Sequence, residues 1–218
     1  MLVKDWMTRD VITADEDVSI MKASKIMKEK GFQHLPVMKK GRLTGIASDR
    51  DLKEAHPSKA TTLDIHELYY LLDKLKVEKV MSRNPHTVGG DETTDKAAAL
   101  MLKHDISALP VVDQKGDLQG IITKGDVFRA MVFVSGIQQA PLQLCFEIED
   151  RPGAIREVTD VIRAHGGRIV STISTYEYAQ AGFRHLYVRP RDVKDEKALI
   201  AELKTRFKLI YQTHDKMD

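Results

Sequence analysis

The sequence has one cysteine and no long apolar run, and each shortage excludes a class of protein. Cys145 has no second cysteine to pair with, so the chain forms no internal disulfide. The longest apolar run, around residues 130–134, is far shorter than the roughly 20 residues with which a helix spans a bilayer. The first residues, Met1 to Asp5, lack the basic and apolar pattern of a secretory signal. We therefore expect a cytoplasmic protein that does not bind the membrane.

The sequence also has little net charge of either sign. Its 34 basic and 32 acidic residues give a net charge of +2. Such a mixture creates no broad positive field that would attract a polyanion, and no basic recognition helix is evident. We therefore do not expect nucleic acid as a partner.

Sequence signatures of catalysis are missing as well. His66 and Glu67 lack the second histidine that would complete a helical zinc motif, and no cysteine pair exists. Neither a Gly-x-Ser-x-Gly elbow nor a Gly-rich phosphate loop occurs, and Cys145 has no evident activating base nearby. We therefore expect no catalytic residue, no metal site and no enzymatic activity.

What the sequence does contain is an internal repeat. Met7 aligns with Met81 at an offset of 74 residues, and one inserted residue near Lys115 makes the later offset 75. A repeat of this kind constrains many positions together and indicates two copies of one structural module. The matched segments are 7–9 with 81–83, 35–37 with 109–111, and 45–51 with 120–126.

Each copy predicts a β-α-β-β-α module. In the first copy, apolar residues from Ile20 to Met27 have helical spacing, with Asp17 as the predicted cap and Gly31 as the predicted end. Two short apolar runs, 35–38 and 43–47, then predict a hairpin, and a helix follows from Asp49. One such module cannot cover both faces of its small sheet, so we expect the two copies to pack together.

The remaining segments predict a helical insert and a third domain. Asp64 and Glu67 form a capping-box-like pair ahead of an apolar helix face, which needs a partner surface. Beyond a polar linker, alternation from Leu142 to Ile148 begins a βαββαβ pattern, the ferredoxin-like order. The predicted boundaries are module 1 at 1–56, insert at 57–76, module 2 at 77–135, linker at 136–141 and C-terminal domain at 142–218.

The strand-to-helix turn that ends each repeat carries the most chemical information. It places Ser48 and Asp51, and likewise Thr123 and Asp126, three residues apart at the start of a helix. Backbone N–H groups there favour phosphate, and a carboxylate can accept hydrogen bonds from both ribose hydroxyls. The alternative is that each pair only caps its helix. Because the pattern occurs twice in the same context, we favour a ligand site.

On the strength of these two turns and the Leu-Pro-Val strands before them, residues 1–135 resemble a pair of CBS domains, or Bateman module. Such modules act as regulatory sensors that bind adenosine-containing ligands in two clefts. The resemblance implies AMP, ADP, ATP or another adenosyl compound as effector, with no required cofactor. The nucleotide-binding residues that it implies are Thr13, His34, Leu35, Pro36, Ser48, Arg50, Asp51, Thr87, Leu109, Pro110, Thr123, Lys124 and Asp126.

Residue differences between the two copies predict that the two clefts are not equivalent. Asp51 and Asp126 would hold ribose, and Gly125 stands where the first copy has Arg50. We therefore expect charged phosphates to favour the first motif. His34 can contact phosphate, or it can be a strand histidine that a neighbouring side chain satisfies.

The C-terminal domain resembles an ACT domain in its βαββαβ order and in the turn Asp150-Arg151-Pro152-Gly153. That resemblance implies an amino-acid site at Asp150, Arg151, Pro152 and Gly153. The alternatives are a plain Asp cap followed by proline, and a domain that serves only dimerisation. The order of CBS pair, helical insert and ACT domain is similar to the AcuB family, named for acetoin utilisation.

We therefore expect an α+β or α/β chain that works as a ligand-sensing regulator. The expected assembly is a homodimer, because ACT-type sheet edges and the apolar insert need covering, and the protein that it regulates is unknown. The alternatives are a transcription-associated regulator and a component of acetoin catabolism whose catalytic role the sequence does not reveal.

Overall fold

The computed structural model describes residues 1–55, 70 and 72–215 of the chain. It divides into two compact units, Met1–Phe128 and Arg129–Asp218. Within the described residues, no helix has both the length and the apolar character needed to cross a bilayer. The insert's capping pair, Asp64 and Glu67, lies outside the described residues, but Leu72 near its end is buried in the core of the first module.

The first module has the predicted order of elements and borrows one short strand. Ser19 begins its first helix by accepting a hydrogen bond from the backbone of Lys22, and Gly31 ends the helix with φ of 72°. Asp17 therefore does not serve as the predicted cap. The elements are β1 (Ala14–Asp15), α1 (Ile20–Lys30), β2 (His34–Lys39), β3 (Arg42–Ser48), α2 (Asp49–Glu54) and the borrowed β4 (Ser82–Arg83), with sheet order β1-β2-β3-β4.

The second module repeats this pattern. Thr93 caps its first helix, as Ser19 does in the first module. Leu109 and Val111 on the central strand pack against Ala97 and Met101 of that helix. The elements are β5 (Val88–Gly89), α3 (Thr94–Lys103), β6 (Ala108–Val112), β7 (Leu118–Thr123) and α4 (Lys124–Ser135), with sheet order β5-β6-β7.

Each module is completed by the segment that precedes the other one. A short 3₁₀ helix, Val3–Asp5, brings Val3 and Trp6 into the core of the second module. A second 3₁₀ helix, Val77–Lys79, brings Val77 into the core of the first. The backbones of Thr8 and Ile121 exchange two hydrogen bonds of 2.9 Å, and β4 pairs with β3. The two modules are therefore interlocked.

Two equivalent glycines allow the exchanged segments to pass close to the sheets. A Cβ atom at Gly120 would lie 2.5 Å from Met7 Sδ and 2.8 Å from the carbonyl oxygen of Thr8. A Cβ atom at Gly45 would meet the side chain of Met81 inside van der Waals contact. A glycine within a strand often marks such a close approach of another backbone.

The second unit is a helix-covered antiparallel sheet. Its element order is βαββαβ, as the sequence pattern predicts. Val158 and Ile162 on one helix, with Leu199 and Leu203 on the other, pack against Phe146 in the sheet. The elements are β8 (Leu142–Glu149), α5 (Ala154–Ala164), β9 (Arg168–Thr175), β10 (Phe183–Arg191), α6 (Glu196–Arg206) and β11 (Lys208–His214), with sheet order β11-β8-β10-β9.

The alternation of apolar and polar residues in β8 does not predict which of its side chains are buried. Cys145 lies on the polar phase of the strand, yet it is 1% exposed, and Glu147 is 8% exposed. The reason is that β8 is a central strand, and Tyr187 and Tyr211 on its two neighbours lie opposite Cys145. Burial raises the pKa of the Cys145 thiol, which keeps it protonated and unreactive.

The close approach at Gly120 predicts a destabilising substitution. Gly120→Ala should lower the free energy of unfolding by about 1–3 kcal/mol, because the new methyl group meets a backbone carbonyl that cannot move freely. Gly45→Ala should have a smaller effect, since a methionine side chain can turn away. Urea denaturation followed by the fluorescence of Trp6, the chain's single tryptophan, measures both.

Gly89→Ala is the matched control for these variants. A Cβ atom there would lie no closer than 3.5 Å to its nearest neighbour, Glu92 Cγ. We expect this variant to keep the stability of the parent protein. Equal losses at positions 89 and 120 would contradict the interlocked arrangement.

Candidate functional site

The two strand-to-helix turns have the same geometry. The backbone N–H and the hydroxyl of Ser48 both donate to Asp51 Oδ2 at 2.7 Å, and Ser48 Oγ accepts from the backbone N–H of Asp51 at 3.2 Å. Thr123 and Asp126 repeat these bonds at 2.7, 2.7 and 3.3 Å. Each pair is therefore a helix cap in this structure, and a ligand at either turn would meet a hydroxyl whose proton already points at the aspartate.

A cleft of about 640 Å³ lies between the two modules beside the first turn. Its walls come from both copies and from the exchanged segment that follows β4. Of the residues that the sequence predicts for nucleotide binding, His34, Ser48, Arg50 and Asp51 line this first cleft. Lining residues that were not predicted include Asn84, Pro85, His86, His104, Asp105 and Ser107.

A second cleft of about 320 Å³ lies beside the second turn. Thr123 and, again, His34 are its predicted residues. The repeat relates the two clefts, because lining residues of one occur 74 positions from lining residues of the other. These additional residues are Thr8, Asp10, Ile12, Lys30, Phe32 and Gln33 in the second cleft, which match Ser82, Asn84, His86, His104, Ile106 and Ser107 in the first.

The other predicted nucleotide residues do not line either cleft. The two Leu-Pro pairs are buried inside β2 and β6, where each proline lies opposite an isoleucine of the next strand. Asp126 is 6% exposed beneath its turn. The residues concerned are Thr13, Leu35, Pro36, Thr87, Leu109, Pro110, Lys124 and Asp126. Their roles in binding stay predictions.

His34, like its neighbour Gln33, lines both clefts. Its Nε2 lies 2.7 Å from Ser107 Oγ, across the interface between the modules. Burial lowers the pKa of His34, and the nearby charge of Asp51 opposes this shift only in part. The imidazole is therefore neutral near pH 7 and satisfied by a neighbour, one of the two arrangements that the sequence leaves open.

Arg50 lines the first cleft but is bonded within its own helix. Its side chain is 85% exposed, and its Nε donates to Glu54 at 2.8 Å. That hydrogen bond raises the pKa of Arg50. The charge on which the predicted preference for phosphate rests therefore already has a carboxylate partner.

Two histidine rings stack at the edge of the first cleft. The ring centroids of His86 and His104 are 3.7 Å apart, and the ring planes differ by 21°. Desolvation lowers the pKa of His104, and the charges of His86 and Lys103 add to this shift. Among the described residues, no group of three or more side chains is placed to hold a metal ion.

A groove of about 740 Å³ in the second unit contains all four residues of the predicted amino-acid site. Asp150, Arg151, Pro152 and Gly153 form its rim ahead of α5. Arg151 donates to both carboxylate oxygens of Glu157, at 2.7 and 2.8 Å, and also to Glu149. These hydrogen bonds raise the pKa of Arg151 and occupy its guanidinium.

Arg184 adds a further positive charge to this groove and was not among the predicted residues. Its Nε is buried and has no hydrogen-bond partner among the described residues. The nearest carboxylate oxygen, Asp150 Oδ1, is 3.7 Å away, beyond hydrogen-bonding distance. The groove therefore places a carboxylate beside an arginine whose hydrogen bonds are incomplete.

Parts of the sequence match known proteins. The family model of the CBS domain matches residues 3–58 and 77–133. L-aspartate semialdehyde sulfurtransferase of Methanocaldococcus jannaschii is 35% identical over 59% of this chain and 23% of its own length. Inosine-5'-monophosphate dehydrogenase of Korarchaeum cryptofilum is 29% identical over 77% of this chain and 34% of its own length. The chain thus spans about a quarter to a third of these two enzymes.

Solved structures of other proteins are similar to this one. The CBS domain pair of protein MJ0100, in complex with 5'-methylthioadenosine and S-adenosyl-L-methionine, is 34% identical with a TM-score of 0.51. The match covers 61% of this chain and 96% of the MJ0100 chain. A Vibrio cholerae protein described as an acetoin utilization protein (AcuB) is 28% identical with a TM-score of 0.52. It covers 64% of this chain and 96% of that one.

The burial of His34 predicts a pH dependence of stability. Because its pKa is lowered in the folded state, the folded protein binds fewer protons than the unfolded chain near pH 6. This histidine therefore removes stability as the pH falls through its unfolded pKa of about 6.5. His34→Gln should lose less stability than the parent protein between about pH 7 and about pH 5.5.

Urea denaturation at several pH values, again followed by Trp6, measures this difference. His214→Gln serves as the control, since His214 is an exposed residue of the second unit. Parallel pH profiles for the parent protein and His34→Gln would show that His34 does not titrate on unfolding.

Proposed function

We propose, from the premise that this chain belongs to the CBS-domain family, that it is a regulatory protein which senses adenosine-containing ligands between its two modules. The observation that carries the proposal is the pair of repeat-related clefts, each beside a turn in which a hydroxyl and a carboxylate lie three residues apart. A single cap of this kind would have an ordinary structural explanation. Two caps that each border a cavity of ligand size favour recognition.

The chemistry of the turns suits a nucleoside. Asp51 Oδ2 is occupied by the Ser48 hydroxyl and backbone, whereas Oδ1 accepts no hydrogen bond among the described residues. A ribose with two adjacent hydroxyl groups is a donor of the right kind for that oxygen. The MJ0100 domain pair, which binds 5'-methylthioadenosine and S-adenosyl-L-methionine, supports this choice of ligand class.

The regulatory mechanism follows from where the clefts lie. A ligand in the first cleft contacts both modules and the exchanged segment, so its affinity depends on how the modules pack. It shifts the packing only by the difference between its affinities for the two arrangements. In this proposal the change is passed to the second unit or to a regulated protein whose identity is unknown.

A purely regulatory role fits the extent of the sequence matches. The two enzymes that match this chain do so over 23% and 34% of their own lengths. We therefore assign no catalytic residue. The similarity to the Vibrio protein makes a component of acetoin catabolism the second candidate function, and assays of substrate turnover with and without nucleotide distinguish the two.

For the second unit we propose an ACT-type role. Its groove offers Arg184 to a carboxylate and Asp150 to an ammonium group, which are the two charges of an amino acid. The same unit is the proposed site of homodimerisation, which light scattering tests. A cytoplasmic location stays a prediction.

A thermal-shift panel tests the proposed ligand class. AMP, ATP, S-adenosylmethionine or another adenosine compound should raise the melting temperature of the protein. A ligand at about 100 times its dissociation constant adds about 2.7 kcal/mol of stability, which corresponds to a shift of several degrees. Guanosine and cytidine nucleotides serve as matched controls, and an unchanged melting temperature with every adenosine compound would contradict the proposal.

Substitution of the two aspartates tests the turns themselves. Asp51→Ala should weaken binding of an adenosine ligand at the first cleft by about tenfold or more, since a hydrogen bond to a charged group contributes about 1.5–3 kcal/mol. Asp126→Ala should weaken binding at the second cleft less, because Asp126 is 6% exposed and does not line that cleft. Both changes also remove a helix cap. Thr93→Ala is the control, because it uncaps α3 without lining either cleft. Calorimetric titration that finds equal losses in all three variants would assign the effect to capping alone.

A further inference from the structure

We propose that the stacked imidazoles of His86 and His104 form a proton-linked anion-binding element of the first cleft. This element selects a nucleotide with a charged phosphate over the neutral nucleoside, and it takes up protons as the phosphate binds. The inference rests on the proposed function, because it assumes that the clefts bind nucleotides. It adds a chemical difference between the two clefts, namely a histidine pair that, within the described residues, only the first cleft has.

The repeat provides the first argument. At the positions of His86 and His104, the second cleft has Ile12 and Lys30, each 74 residues earlier in the chain. A lysine is a permanent cation near neutral pH, whereas a histidine gains its charge there. One cleft therefore has a fixed positive charge where its twin has two stacked imidazoles.

The other cations at the first cleft already have partners. Arg50 donates to Glu54 at 2.8 Å, and Arg83 lies 3.5 Å from Glu78. Both salt bridges lie on the surface and have an acidic residue of their own module as partner. Among the described residues, His86 and His104 differ from these arginines because no carboxylate is bonded to either ring, so both rings can donate to a ligand.

The acidic groups that face the pair are largely engaged as well. Asp51 accepts a hydrogen bond from the Ser48 hydroxyl in the cap of α2. Asp49 Oδ2 accepts one from Lys53 Nζ at 2.5 Å. Asp105 follows His104 and also lines the cleft, while Lys103 precedes His104 and opposes its protonation. Asn84 is neutral where the second cleft has Asp10.

His34, the remaining titratable group of the cleft, is held neutral by burial and bonds to Ser107. Of the described carboxylates that line this cleft, only Asp105 is then left to oppose two positive charges on the stacked rings.

The geometry explains why a phosphate would change the charge of the rings. Two neutral imidazoles stack comfortably, but protonating both at a centroid distance of 3.7 Å sets like charges against each other. A phosphate beside the pair supplies the opposite charge and accepts hydrogen bonds from ring N–H groups. Binding must then raise the proton affinity of the rings, and by linkage a lower pH must strengthen binding.

Calorimetry with AMP and adenosine tests this linkage. Titrations at about pH 6, 7 and 8, each in two buffers of different ionisation enthalpy, report both affinity and proton uptake. For the parent protein we expect the affinity for AMP at one site to rise as the pH falls, by up to tenfold per pH unit for each proton taken up. Adenosine affinity should stay nearly constant.

The variant H86I/H104K gives the first cleft the two residues of the second. It should retain AMP binding but lose the protein's share of proton uptake. The share that remains is the titration of the phosphate itself, whose second pKa is about 6. The reciprocal variant I12H/K30H should gain proton uptake at the second cleft. The single variant H104N covers the case in which a double variant does not fold, and it should lower AMP affinity while sparing adenosine.

The outcomes separate this inference from the proposed function. Binding of AMP with equal proton uptake in the parent protein and H86I/H104K would overturn the histidine element and leave nucleotide sensing intact. Failure of every adenosine compound to bind would overturn both. NMR titration of the histidine ring protons gives an independent check, because two imidazole pKa values should rise when AMP is added to the parent protein.

Discussion

The exchange of segments between the modules is the constraint on which the rest of this structure depends. Neither module completes its own sheet or core, since Val3 and Trp6 pack in the second and Val77 and Met81 in the first. The exchanged chains continue directly into the clefts, so residues 82–86 line the first and residues 8–12 supply lining residues of the second. The packing that stabilises the pair of modules therefore also shapes both clefts.

The two clefts share a backbone plan and differ in their charges. The Ser48–Asp51 and Thr123–Asp126 caps agree to within 0.1 Å in each of their three hydrogen bonds. The differences lie in side chains opposite the caps, above all Lys30 against His104. Gln33 and His34 line both clefts.

Much of the fold could be predicted from the sequence, because repeats and periodicity depend on local residue types. The β-α-β-β-α modules and the βαββαβ order of the second unit follow from alternation, helical spacing and turns. The segment exchange could not be predicted, because nothing in the sequence around Val3 indicates which module it packs against. The structure shows the exchange through the pairing of Thr8 with Ile121. The caps at Ser48 and Thr123 were found, but Arg50 turned out to be paired with Glu54. The stacking of His86 on His104 was not predicted, because one residue lies in a loop and the other at the end of a helix. The repeat offset of 74 does match these two positions with Ile12 and Lys30.

A crystal structure of the protein with AMP tests the central claim most directly. The account predicts AMP in the first cleft, with its ribose hydroxyls within hydrogen-bonding distance of Asp51 Oδ1 and its phosphate beside His86 and His104. Both modules should contact the nucleotide. An AMP molecule bound only outside the two clefts, or a ribose that makes no contact with either capping aspartate, would contradict the account.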